Sequence, residues 1–338
     1  MIEIDGSLGE GGGQIIRTAL SLSAVTKTPV HITNIRAGRP NPGLAPQHLT
    51  AARAVRSICR GTLSHCEIGS TEFTFEPGEI VGGKYEFDIG TAGSTVLLAQ
   101  AILPILLHAS KPSGVRIKGG THVMKSPSHD YFEKVFLPAI SLFGATASSR
   151  LLRPGYYPRG GGEMELNAEP SALMGNSAWL REEHVEAIIR LSGLDKGIAV
   201  REKKVFVQNG IEHVHVYEDE GGIGSSRRSL GETIAGTPAI GNAITAWAGF
   251  LGAYVPGERG KRAETVAQEC IDFLKREKNA GSEVDLHLAD QLLIYAALAK
   301  GGSGFKTSGV TSHTETNAGI ILKFLGRKMT LGEEVKVE

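Results

Sequence analysis

Apolar and polar positions along the chain spell out one phrase three times. A short strand enters a turn, an apolar helix follows, and a β-branched strand comes next. The first copy predicts a strand at 2–5, a glycine loop, a helix at about 14–25 and a strand at 30–35. The second predicts a strand at 85–89, the turn GTAGS, a helix at 95–108 and a strand at 114–119. The third retains a helix at about 290–299, the turn KGGSG and a strand at 305–308. Each copy has a second helix, at about 46–59, 128–143 and 314–325. Asp5 and Asp88 stand at matching places before their loops, as an internal repeat requires. The first helices of copies two and three are apolar nearly all round, so they belong against a sheet or other helices. Two helices on one face of a four-stranded sheet, three times over, is an α+β two-layer solution.

The texture changes between the second and third copies. Segments 185–192, 199–208 and 212–218 read as strands or short helices, and DEGGIGSS (219–226) as a loop. Apolar residues at 263, 266, 267, 270, 271 and 274 then mark an amphipathic helix over 263–276.

With 338 residues there is room for two domains, or for one large domain with an insertion. The 44 glycines fit many tight turns between short elements. Net charge is zero, so whole-chain electrostatics give no argument for a nucleic-acid partner. Residues 1–60 nevertheless hold seven Lys/Arg against three acids, enough to bind a terminus but not to track a long backbone. Arg53, Arg56 and Arg60 read as a solvated helix face. Three cysteines (Cys59, Cys66, Cys270) cannot pair evenly and lack C-x-x-C spacing, which points to a reducing, cytoplasmic setting. No basic stretch leads into an apolar run at the N-terminus, so no signal peptide is expected. The longest apolar run, 96–109, contains Gln100, Pro104 and His108 and is too short to span a bilayer. No membrane partner is expected.

GEGGGQIIR (9–17) puts the carboxylate of Glu10 and backbone N–H groups in a glycine loop running into a helix. IRAGRPNPGLAPQHL (35–49) adds Arg36 and Arg39, then Gln47 and His48. Bare N–H groups at a helix start, ringed by guanidiniums, suit phosphate, and one carboxylate nearby suits Mg²⁺. Gln14 stands where a Walker A loop or a dinucleotide fingerprint needs another residue, so neither motif is present. A structural turn is the plainer alternative. His313 in SHTETN is, by its residues alone, either a cap or a nucleophile. His213 and His215 with Glu212 have no third ligand in sight and read as ordinary strand surface. His313-Thr-Glu315 has no P-C-x-x-C partner, which excludes a zinc deaminase.

DGSLGEGGGQIIR, IRAGRPNPGLAPQHLTA, KGGTHVMKSPSHDYF (118–132), GYYPRGGGE (155–163), LADQLL (288–293) and the late His313 together resemble the RNA 3'-terminal phosphate cyclase family. The match runs in order along the whole chain and is weakest at about 195–258. The resemblance implies three units like the C-terminal domain of translation initiation factor three, as also seen in enolpyruvyl transferases. It implies a body of 1–184 and 281–338, with a smaller thioredoxin-like α/β domain inserted at 185–280. Its implied activity is ATP-dependent conversion of an RNA 3'-phosphate to a 2',3'-cyclic phosphate, so the partners are ATP and RNA ends.

By the same resemblance His313 is the nucleophile that becomes adenylylated, and Arg17, Arg36, Arg39, Gln47 and Asp290 share the catalytic site. Gln100, Pro127, His287, Asp290, Gln291 and His313 would surround the nucleotide, with Pro127 and His287 flanking adenine. The family often carries an aromatic ring where His287 stands. Glu10 would contact Mg²⁺ or Mn²⁺. Asp290 is also expected to cap the third apolar helix. Two other classes stay in play. One is a catalytically silent relative that binds RNA or assists ribosome assembly, though such relatives lack the histidine. The other is an enolpyruvyl transferase, which forms no nucleotidyl-enzyme.

Overall fold

The computed structural model describes residues 1–9, 11–219 and 239–338. The α+β class holds: three four-stranded mixed sheets and one three-stranded sheet carry the helices. The first group is β1 (Ile2–Asp5), α1 (Gly13–Thr26), β2 (Val30–Thr33), α2 (Pro46–Ile58), β3 (Thr62–Ser64) and β4 (Phe73–Glu76). Its sheet order is β1-β2-β4-β3, with β1 parallel to β2 and the other pairs antiparallel. The second group is β5 (Lys84–Asp88), α3 (Thr95–Leu107), β6 (Ser113–Gly119), α4 (His129–Tyr131), α5 (Leu137–Ser141), β7 (Thr146–Arg153) and β8 (Gly162–Glu169). Its order β5-β6-β8-β7 and its pairings are the same. The loops leaving β1 and β5 also match. Asp5 Oδ1 accepts the N–H of Ser7 at 2.9 Å, and Asp88 Oδ1 that of Gly90 at 2.7 Å. An aspartate bonding its own backbone two residues on starts both turns.

Helix α3 is buried on nearly every side, which is why its sequence lacks a polar face. Ser94 starts it by accepting the N–H of Leu97 at 3.2 Å. Helices α1 and α2 pack on it, and Ser21 Oγ of α1 donates to the Ala101 carbonyl at 2.5 Å. The single helix expected at 128–143 is instead broken into α4, a π turn at Phe132–Phe136 and α5. Pro138 explains the break. It has no N–H for the carbonyl four residues back, and the wider turn absorbs the mismatch.

Next come β9 (Glu186–Ser192), α6 (Gly197–Gln208), β10 (His213–Asp219), β11 (Gly241–Ala248), β12 (Leu251–Pro256) and α7 (Ala263–Asn279). The sheet order is β10-β9-β11-β12, with β9 and β10 parallel across α6 and the rest antiparallel. Segment 199–208, ambiguous in sequence, is thus helical. Of the loop expected at 219–226, all but Asp219 lies outside the described residues. Ile189, Phe206, Ile244, Val266, Ile271 and Leu274 belong to a separate apolar core in this region.

Glu202 of α6 is fully buried. Its Oε2 accepts from Asn242 Nδ2 at 3.0 Å, and its Oε1 has no partner among the described residues. Burial pushes its pKa up to about 7, against the opposing Asn242 bond. The native state therefore holds a proton that the unfolded chain releases above its ordinary range. Stability falls as pH rises from about 4.5 to 7, by about 3 kcal/mol in all. Glu202→Gln is expected to raise the melting temperature at pH 8 and to change it little at pH 4.5. An equal shift at both pH values would contradict this account.

The chain closes with α8 (Leu286–Leu298), β13 (Ser303–Lys306), α9 (Ser312–Leu325), β14 (Met329–Thr330) and β15 (Glu334–Val337), in a sheet ordered β13-β15-β14. Met174 bridges in parallel to Lys300, and the Gly304 N–H donates to the Asn176 carbonyl at 3.0 Å. A stretch of the earlier chain thus runs beside β13. Helix α8 starts four residues before the expected point, and Asp290 is not its cap. Asp285, in extended conformation, accepts the N–H groups of His287 and Leu288 at 2.9 Å each. The apolar run begins at Leu286, which leaves Asp290 in the second turn. Among the described residues, no helix is long and apolar enough to cross a membrane.

Candidate active site

Polar contacts between α1, α8 and α9 build the floor of one large cleft. Thr18 Oγ1 donates to Asn317 Oδ1 at 2.7 Å, and Asn317 Nδ2 donates to the Asp290 carbonyl at 3.1 Å. These buried bonds fix three neighbours: Arg17 beside Thr18, the Asp290 side chain, and His313 one turn before Asn317. All three line a cavity of 1270 Å³. Desolvation pushes the Arg17 pKa down to about 10 while the charge of Asp290 opposes it, so the guanidinium stays charged at neutral pH. His313 stands in the first turn of α9, not ahead of it. Thr311 caps that turn by accepting the Thr314 N–H at 3.1 Å.

The glycine loop is less bare than its sequence suggests. The N–H of Gly6 goes to Thr33 O at 2.7 Å, that of Leu8 to Asp5 O at 3.3 Å and that of Gly11 to Leu8 O at 2.9 Å. The cradle is therefore the start of α1. Gly12 caps it without a side-chain bond among the described residues, and Gly12, Gly13 and Gln14 line the cleft. Gly13 must be glycine because a Cβ there would stand 2.1 Å from His48 Nε2. Gly9 has φ +56°, and its Cβ would meet Thr316 Oγ1 at 2.1 Å, so the loop is seated on α9.

His48 accepts the Ala45 N–H on Nδ1 at 3.3 Å and lies in the cleft wall. Burial, then the charges of Arg17 and Arg36, lower its pKa to about 3, which keeps the ring neutral. Arg36 has φ +54° and donates to the Gly43 carbonyl at 2.8 Å. Arg39 closes the same turn through its N–H to Arg36 O at 2.9 Å, and its guanidinium lies beside Gly12. Gln47 Oε1 accepts the Ser94 N–H at 2.9 Å, which ties the start of α2 to the cap of α3. Arg36, Arg39 and Gln47 all face the cavity, whereas Arg53, Arg56 and Arg60 are exposed on or just beyond α2.

Another wall comes from α3, α7 and α8. Gln100 Nε2 donates to Gln291 Oε1, and Gln291 Nε2 donates to the His287 carbonyl at 2.8 Å. The His287 ring stacks on Phe273 with centroids 5.6 Å apart and planes 9° apart, and Arg276 lies 5.0 Å over the same Phe273 ring. Pro127 lines this cavity as well. Phe273 and Arg276 went unnoticed in the sequence. The available signal was an aromatic residue outside the apolar stripe of α7.

Glu10 lies outside the described residues, and the metal reading rests on it. Among the described residues, His129, Asp130 and Glu133 are the one set of three ligating side chains close together. Arg190 donates twice to Asp130, at 2.7 Å each, so this set already holds a cation of the chain and does not suit a metal. His213 and His215 are exposed on the edge strand β10, and the ring of His213 meets that of His184 at 4.2 Å.

A family model described as RNA 3'-terminal phosphate cyclase matches residues 8–331. The chain is 42% identical over 327 residues to the RNA 3'-terminal phosphate cyclase of Archaeoglobus fulgidus, covering 97% of this chain and 96% of that protein. The protein of the same name from Methanococcoides burtonii is 41% identical over 334 residues, with 98% and 96% covered. That from Sulfurisphaera tokodaii is 42% identical over 341 residues, with 99% and 97% covered. Among solved structures, the enolpyruvyl transferase NikO of Streptomyces tendae matches with a TM-score of 0.27 and 13% identity, over 60% of this chain and 37% of that one. So slight a likeness bears on neither fold nor function. Similarity at this level over nearly the full length of both partners decides the family: the chain belongs to the RNA 3'-terminal phosphate cyclase family.

Proposed function

We propose that the protein converts RNA 3'-terminal phosphates to 2',3'-cyclic phosphates at the expense of ATP, with His313 as nucleophile. A ring nitrogen of His313 attacks the α-phosphorus; the N–P bond forms and the bond to pyrophosphate breaks. An oxygen of the RNA 3'-phosphate then takes the adenylyl group from the ring. Last, the neighbouring 2'-OH attacks the 3'-phosphorus, gives up its proton and displaces AMP. That hydroxyl is held within bonding range by the ribose itself, which is why RNA is the substrate.

The observation that carries this reading is a convergence. The His313 imidazole, the guanidiniums of Arg17, Arg36 and Arg39 and the Asp290 carboxylate, from α1, the 36–39 turn, α8 and α9, line one cleft that also holds an amide pair. Arg17, Arg36 and Arg39 would hold charge on the transferring phosphates. Gln100, Pro127, His287, Asp290 and Gln291 would hold the nucleotide, with Phe273 backing the His287 ring. A Mg²⁺ or Mn²⁺ ion at Glu10 would neutralise the nucleotide phosphates. The same reading covers the architecture. The equal order of the first two sheets, and the strand-like stretch beside β13, support three units like the C-terminal domain of translation initiation factor three. The separate core and the β-α-β-β-β-α order support a thioredoxin-like insert at 185–280 within a body of 1–184 and 281–338.

Incubation with α-labelled ATP and Mg²⁺ tests the reading. One AMP per chain should be retained through a bond that is acid-labile and alkali-stable. No retained label would favour a silent RNA-binding relative or an enolpyruvyl transferase. Arg39→Ala should slow labelling by about 2–4 kcal/mol of barrier, as loss of a phosphate-holding donor does. Arg56→Ala should leave the rate near wild type, and equal rates for both variants would make the Arg39 turn merely structural.

A further inference from the structure

Two sequence blocks, KGGTHVMKSPSHDYF and GYYPRGGGE, each contribute residues to the lining of the cleft. They meet at the mouth of the cleft. Tyr156 and Tyr157 are adjacent but face opposite environments. Tyr156 is buried, its ring 5.5 Å from that of His122 and pressed on Gly241, where a Cβ would lie 2.1 Å from it. Tyr156 and Gly160 are bridged, with the Gly160 N–H bonded to Tyr156 O at 2.7 Å, so residues 157–159 project outward. Gly160 packs so closely on Thr91 and Ala92 that a Cβ would come within 2.9 Å of their backbone. That contact leans the projection against the loop before α3, whose Ser94 is tied to Gln47.

Tyr157 is 63% exposed yet lines the cleft, and among the described residues no ring or cation packs on it. Exposed Met124 and Lys125, from the first block, line the same mouth. Lys125 is held at φ +59°, a conformation that costs a non-glycine residue free energy and marks a turn built for position. Arg159 is exposed on the Tyr157 projection.

Building on the cyclase reading, we propose that Tyr157 is a positioning residue for the RNA strand. The base of the nucleotide preceding the 3'-terminal one stacks on its ring, while Lys125 and Arg159 meet the adjoining phosphates. The terminal phosphate must reach His313 inside the cleft, so the strand leaves over the mouth. An exposed aromatic ring on the same cleft as Lys125, with the exposed Arg159 two residues further along its own loop, is what a single strand binds there, whatever its sequence. The chain's zero net charge fits a short grip of this kind over a long basic track.

The test uses the full-length enzyme and a ten-nucleotide RNA bearing a 3'-phosphate, with a second RNA that lacks only the penultimate base. Binding is read by fluorescence anisotropy, cyclisation by KM and kcat, and adenylylation by ATP alone reports whether the site is intact. Tyr157→Ala should raise both Kd and KM for the intact RNA about tenfold, the size of one lost base stack, with kcat little changed. Tyr157→Phe should restore both. For the abasic RNA, wild type and Tyr157→Ala should bind alike. Unchanged Kd for the intact RNA, an equal loss on the abasic one, or a matching loss of adenylylation would overturn the proposal. Failure of wild type to capture AMP would instead overturn the cyclase reading, and the anisotropy result would still judge Tyr157.

Discussion

His313→Asn is expected to abolish both AMP capture and cyclisation from ATP, by on the order of 10⁴-fold or more. Asparagine keeps a polar side chain of similar reach but has no basic ring nitrogen to attack phosphorus and leave again. Folding should persist. His313 occupies the first turn of α9, where asparagine is tolerated, and Thr311 and Asn317, which hold that turn, are untouched. An RNA already activated as its 3'-adenylylated diphosphate skips the first two transfers, so the variant should retain cyclisation of that substrate. Loss of the early steps with survival of the last would place His313 in nucleotidyl transfer. Near-wild-type turnover of ATP and RNA 3'-phosphate would refute its assignment.

Arg190→Met should cost about 3–5 kcal/mol of stability at pH 7, as expected when one partner of a buried ion pair is removed. Arg190 of β9 reaches Asp130 of α4 with two bonds of 2.7 Å, and His122 Nε2 adds a third contact at 3.0 Å. Burial alone would raise the Asp130 pKa, but the bonds from His122 and Arg190 outweigh it and hold the carboxyl well below its usual range. This contribution is complete above the unfolded-state value and is lost as pH falls through the folded one. The deficit of Arg190→Met should therefore shrink in acid. Arg190→Met combined with Asp130→Asn should recover part of the loss, because no charge is then left buried and unpaired. Urea midpoints at pH 7 and pH 3 measure both expectations. A midpoint unmoved by Arg190→Met would make the pair incidental.

What could be read from sequence follows from how local each signal is. Helices α1, α2 and α3 are long apolar runs with turn chemistry at their ends, and each appears within two residues of its expected bounds. Strand β7 has three of its eight residues exposed and none fully buried, and it interleaves serines and arginines, so its period is weak. Strand β11 is buried on both faces and shows no alternation. Neither was foreseen. The site divides in the same way. Arg36, Arg39 and Gln47 lie within one short motif, and the chain's own turns carry them to the cleft. Phe273 has meaning only once α7 is laid against the start of α8, and no spacing in its own helix encodes that. Asp285 and Asp290 are both plausible caps in VDLHLAD, and choosing between them requires the residue at which the apolar run begins.

Asp285 has a further consequence, for the order in which the cleft can be completed. One oxygen starts α8, while the other accepts the Tyr131 hydroxyl at 2.7 Å and the Gly252 N–H at 2.9 Å. A single carboxylate thus joins the second structural group, the strand β12 and the helix bearing His287, Asp290 and Gln291. During synthesis α8 emerges after both of its partners, and its first turn has nothing to dock on unless they are already folded. The wall bearing His287, Asp290 and Gln291 can therefore close only after β12 and the second group are in place. A chain misfolded at β12 would keep Arg17, Arg36 and Arg39 on their own elements but leave the cleft without its α8 wall.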